Sequence, residues 1–169
     1  MLYLLQNHSK IRVGRFILLT GLLVGTLDIL SAFVDYFINT GKNPLAVLTF
    51  VASGAFGTSA VGGGAGIMIM GLLFHYFFAF AFTIIFFMLY SRNRNQFSKS
   101  RIVTGVLYGV FIWLIMNLVV VQLSNAPHAA IKDMKIGKIS KSMLILIFMI
   151  GLPLSFINYN YFNQKLEKE

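Results

Sequence analysis

Long apolar runs alternate with short polar stretches along this chain, at residues 16–38, 67–90, 102–123 and 142–162. A helix that crosses about 30 Å of hydrocarbon needs roughly 20 residues, and each run meets that length. Alternating segments of about ten residues, as in a membrane barrel, are missing. Open strands would leave backbone groups unpaired in lipid. The pattern therefore predicts an all-α, polytopic membrane protein with four transmembrane helices. The connections are 28, 11 and 18 residues long, which leaves no room for a separate soluble domain. Residues 1–169 are thus expected to form a single integral membrane domain.

One further apolar stretch, PLAVLTFVASGAF at 44–56, is too short to span, since 13 helical residues reach about 20 Å. It predicts a re-entrant or interfacial helix that starts at Pro44 after Asn43. Behind it, GAFGTSAVGGGAG at 54–66 holds six glycines. A phosphate-binding loop would need Gly-x4-Gly-Lys-Ser/Thr, or Gly-x-Gly-x-x-Gly between a strand and a helix. Neither is present, and no lysine lies between Lys42 and Arg92 to meet a phosphate. The glycines are read instead as a turn that packs the short helix against the second span, or as a flexible outer loop.

Composition agrees with the pattern. The chain is 57% hydrophobic and 11% charged, whereas soluble domains are about 45–50% apolar and 25% charged. All 14 Lys and Arg lie outside the apolar runs, and only Asp28 and Asp35 among the five acids lie within one. A net charge of +9 does not imply nucleic acid here, because Lys10, Arg12, Arg15, Arg92, Arg94, Lys99 and Arg101 flank membrane helices. The expected partners are the lipid bilayer and a second copy of the chain or another membrane protein, with no nucleic acid. The basic N-terminus resembles a signal sequence, but its apolar run is long and carries two aspartates, so it reads as a retained first helix. Placing both termini inside puts nine cations inside against five outside, which favours cytoplasmic termini. The basic third connection, HAAIKDMKIGKISK, opposes this count, and its Lys–Ile alternation suits an interfacial segment.

Ionisable groups at membrane depth are costly and face the bundle interior by default. On the first span Gly14, Gly21, Gly25, Asp28, Ala32 and Asp35 share one side of the helix, and Gly21 and Gly25 have the GxxxG spacing. His75 on the second span is flanked one turn away by Gly71 and Ala79. Gly105 and Gly109 repeat the spacing on the third span, with Trp113 and Asn117 beyond them. Counting about 1.5 Å per residue from each span's centre puts Asp28, Asp35, His75 and Asn117 in one outward-facing half of the bundle. On the fourth span, Pro153 leaves the Met149 carbonyl without its helical partner.

The bland account of this polar set is a buried contact that fixes helix register. The sharper one is a wet cavity that moves protons or binds a small cation through Asp28 and His75. A metal held by His75, Asp28 and His128 falls short, because zinc takes three or four ligands and no close pair of histidines exists. No metal and no cofactor is expected. Nor is an enzyme: Cys, G-x-S-x-G and H-E-x-x-H are all missing. Asp28 and Asp35 lie about 10.5 Å apart along one helix, unlike a dyad that shares a proton.

The segments GLLVGTLDILSAF, ASGAFG, GLLFHYFFAFAF, GVLYGVFIWLIMNLVVVQLSNAP and IGLPLSF, in that order, resemble a family of small bacterial four-helix inner-membrane proteins filed as a domain of unknown function. The resemblance spans about residues 14–160 and implies the four-helix architecture and a bacterial plasma membrane, without an established activity. Asp28, His75 and Asn117 fall on its motif positions. Gln122 and Leu146 stand where members often have proline and histidine. The expected function is that of a structural or accessory membrane component with a buried polar cluster. The alternative is a small proton- or cation-coupled transporter or channel, against which stands the lack of an inverted repeat.

Overall fold

A computed structural model describes residues 2–127 and 136–166, with side chains placed for 12–127 and 136–163. Among the described residues six α-helices follow one another: α1 (Leu2–Thr40), α2 (Ala46–Phe56), α3 (Ala65–Arg92), the single turn α4 (Arg94–Phe97), α5 and α6. Helix α5 runs from Arg101–Ile115 through a π-helical turn, Met116–Val120, into Val121–Leu123. Helix α6 runs from Ile136–Leu146 through a second π turn, Ile147–Gly151, into Leu152–Leu166. No strand occurs among the described residues.

Four helical segments are long and apolar enough to cross a membrane: Arg12–Thr40, Ala65–Arg92, Arg101–Leu123 and Ile136–Asn163. They coincide with the four expected spans and extend beyond them. Helix α1 reaches back to Leu2 because nothing before Gly14 breaks a helix. Helix α6 begins at Ile136, so the end of the Lys–Ile alternation is helical rather than a connecting loop. Large apolar side chains such as Leu18, Phe77, Leu107 and Phe148 face outward on all four. A soluble protein rarely exposes a continuous surface of this kind, whereas hydrocarbon solvates it.

The interior core joins Val24 of α1, Phe82, Phe86 and Tyr90 of α3, Tyr108 and Ile112 of α5, and Ile150 and Leu154 of α6. Helix α1 packs on α3 on one side and on α6 on the other, and α6 lies along α5. The Tyr108 hydroxyl closes the set by donating to the Phe82 carbonyl at 2.6 Å. Gly151 of α6 sits directly on Gly105 and Gly109 of α5, so close that any side chain there would strike backbone. Pro153 accounts for the π turn just before it. Its ring would clash with the carbonyl four residues back, and a turn widened by one residue relieves that clash.

The short helix is present, beginning at Ala46 rather than Pro44. Asn43 starts it: its side-chain oxygen accepts from the Leu45 amide (3.0 Å) and its carbonyl from the Ala46 amide (3.2 Å). Leu48, Thr49, Ala52 and Ser53 form its buried side, while Phe50 and Phe56 face outward. The glycine-rich stretch is the turn from α2 into α3. Gly57 (φ 73°) and Gly62 (φ 79°) occupy the left-handed region, which other residues enter only with strain. The Asn125 amide, just past α5, donates to the Gly54 carbonyl at 2.9 Å and pins the end of α2.

Candidate functional site

The polar centre of the bundle is the α1–α3 interface. Gly21 and Gly25 leave α1 without side chains on this side, so the rings of Phe80 and Tyr76 and the Ala79 methyl lie on its backbone. That approach exposes the Gly25 carbonyl to α3, and His75 Nε2 lies 2.8 Å from it. A carbonyl oxygen only accepts, so Nε2 must carry the hydrogen. In a neutral ring Nδ1 is then a free acceptor; in a charged ring it is a second donor. One turn further along α1, the half-buried Asp28 carboxylate has His75 as its electrostatic neighbour. Among the described residues that carboxylate accepts no hydrogen bond; Ser31 binds the Asp28 carbonyl instead, at 2.7 Å. Beside it Thr26 and the Tyr76 hydroxyl share a hydrogen bond of 2.8 Å, and the Tyr76 ring stands edge-on to His75. Together these groups can hold helix register, and Asp28 and His75 are the ionisable groups of this centre.

The other two members of the expected polar set do not join this centre. Asp35 forms an ion pair with Lys141 of α6, at the end of the bundle that carries α2. Asn117 turns back on its own helix, donating to the Trp113 carbonyl at 3.0 Å, and Gln122 donates to the Asn117 carbonyl at 3.3 Å. These amides enter the backbone ladder of α5 where it widens into its π turn, which satisfies Asn117 without a partner on another helix. The packing residues divide as well. Gly21 and Gly25 serve the α1–α3 contact, and Gly105 and Gly109 serve α5–α6. Gly71, expected beside His75 in the bundle, instead lies under the Leu48 carbonyl of α2.

Thr26 and Tyr76 carry the site with His75, yet neither stood out in the sequence. Their only signal was depth, since each adjoins a residue already singled out, Gly25 and His75. Also unforeseen is the fully buried Asn158, which donates to the Leu154 carbonyl at 2.9 Å. His128 lies outside the described residues. Among those described, no three of His, Asp and Glu come together as a metal would require.

Comparison with protein families, curated proteins and solved structures finds no match for this chain.

Proposed function

We propose that the chain is a multi-pass protein of the bacterial inner membrane, with cytoplasmic termini, that acts as a structural or accessory component rather than as an enzyme. Its working surface is the apolar exterior, which meets lipid and a second copy or another membrane protein. In this reading α2 dips into the outer leaflet, with Phe50 and Phe56 facing lipid. The bacterial membrane comes from the sequence resemblance, and the orientation from the excess of cations at the α3–α5 end. The observation that carries the structural role is the 2.8 Å contact of His75 Nε2 with the Gly25 carbonyl. It spends the imidazole's donor on backbone and makes the polar centre a lock between α1 and α3. One observation favours a second reading, a small proton- or cation-coupled carrier: the Asp28 carboxylate beside His75 accepts no hydrogen bond among the described residues.

Asp28→Asn separates the two. Under the structural reading it lowers the unfolding temperature in detergent and leaves proton and cation flux in proteoliposomes at the level of empty vesicles. Wild-type flux above that level, abolished by Asp28→Asn in a protein that still folds, would overturn it in favour of the carrier.

A further inference from the structure

At the end of the bundle away from α2, cations and aromatic rings are built into one another. The Arg94 guanidinium donates to the Phe162 carbonyl (2.8 Å) and to the Asn163 side chain (3.0 Å), and stands 5.9 Å from the Phe162 ring. The guanidinium of Arg101 lies over Tyr159 at 4.4 Å and Phe156 at 5.1 Å. Between them Tyr90 is stacked on Phe97 (5.8 Å) and Phe162 (5.4 Å). The Tyr90 side chain is buried, while its hydroxyl makes no hydrogen bond among the described residues and is not sealed from the surface. The charged groups that act on this hydroxyl are Arg94 and Arg101, with Tyr159 beside them. Next to Arg94, residues Arg92, Asn93, Asn95 and Gln96 line an open depression of about 310 Å³. Among the described residues no carboxylate lies at this end, since Asp28 and Asp35 are the only acids described and both sit further along α1.

A guanidinium laid on rings keeps its N–H groups in plane and free at the ring edge, which suits two-point binding of a phosphate. A tyrosine hydroxyl with no partner inside the bundle is free to donate to an oxygen group that arrives from the surface. Both are met by one anionic oxygen group arriving from the membrane surface. We infer that Arg101, Arg94 and the Tyr90 hydroxyl form a seat for the phosphodiester of an anionic phospholipid headgroup in the cytoplasmic leaflet. The inference rests on the membrane placement given above, which puts this end at the lipid–water border. The two arginines supply charge and a flat pair of donors, Tyr90 supplies one further donor, and the depression at Arg92–Gln96 leaves room for the rest of the headgroup.

The full chain in nonionic detergent is titrated with short-chain phosphatidylglycerol, short-chain phosphatidylcholine or inorganic phosphate, and binding is read from the rise in unfolding temperature. Phosphatidylglycerol is expected to give a saturable rise that the other two do not match. Arg101→Gln should raise the half-saturating concentration about tenfold, the worth of a charge-assisted contact. Tyr90→Phe keeps the ring stack and should raise it about fivefold, the worth of one hydrogen bond. An equal response to phosphatidylcholine, or variants that titrate like the wild type, would overturn the seat. An equal response to inorganic phosphate would overturn its assignment to lipid. Alkaline extraction of the chain from phosphatidylcholine vesicles tests the membrane placement separately. If the chain washes off, that placement fails; if it stays but shows no preference for phosphatidylglycerol, only the headgroup seat fails.

Discussion

The α5–α6 contact and the α1–α3 contact are both built on glycine pairs, but what lies opposite the glycines differs. At Gly105 and Gly109 it is backbone: a side-chain carbon added at Gly109 would sit 2.6 Å from the Ile147 Cα, and one at Gly105 would sit 2.8 Å from the Leu152 Cα. At Gly25 it is the Ala79 methyl and the Tyr76 ring, each at 3.0 Å, and the ring can turn aside. At its glycines the first interface is therefore backbone on backbone, with its polar bonds set to either side (Trp113 Nε1 to Ser142 Oγ at 2.8 Å, Ser155 Oγ to the Arg101 carbonyl at 2.7 Å), whereas the second carries polar bonds at the glycines themselves. Where backbones meet there is no room for a polar group, so the bonds between α5 and α6 flank the glycine contact. Asp28 and His75 lie by the other interface, where side chains intervene, and Asp35 pairs with α6 at the end of the bundle.

That contrast orders the expected effects of substitution, all read as unfolding free energy in a mild detergent. The largest belongs to Gly109→Val, which would force α5 and α6 apart and cost about 3 kcal/mol, the upper part of the range for overpacking. If it proves harmless, α5 and α6 are not in backbone contact. Gly25→Ala should cost less, about 1 kcal/mol, because the Tyr76 ring can yield. A loss as large as that of Gly109→Val would erase the distinction between the two interfaces. His75→Ala removes the bond to the Gly25 carbonyl and should cost about 1 kcal/mol, typical of a hydrogen bond between membrane helices. The smallest effect is expected for Lys141→Gln. Its ion pair with Asp35 is half exposed and worth about 0.5 kcal/mol or less, fading further in high salt. A salt-independent loss there would mean that the pair is buried and belongs to the polar centre after all.

Much of this fold is legible in the sequence, for reasons that differ by element. The four spans needed only length and apolarity, which lipid imposes directly on sequence. Gly21 with Gly25, and Gly105 with Gly109, were legible as close contacts because spacing alone puts them on one side of a helix. Which helix they meet is a tertiary fact, and Gly71 shows it: its neighbour is α2, not the bundle. Asn117 failed for a local reason. An amide can be satisfied by a carbonyl four residues back on its own helix, and nothing in sequence separates that from a partner across the interface. The Asp35–Lys141 pair is hidden by a boundary, since the apolar run starts only after Lys141, whereas α6 already begins at Ile136. Nothing in the sequence singles out Tyr90; its place among the rings that carry Arg94 and Arg101 is a tertiary fact.

Whether Asp28 and His75 act together as a lock is tested most directly by a double-mutant cycle on unfolding, with Asp28→Asn, His75→Ala and the pair. Groups that share an interaction couple, and groups that do not are additive to within about 0.3–0.5 kcal/mol. The electrostatic attraction between Asp28 and His75, which share no hydrogen bond, predicts that the double variant loses less than the two single losses together, by about 1 kcal/mol. Strict additivity would contradict it and leave His75 bound to Gly25 alone, with Asp28 an isolated carboxyl in the membrane.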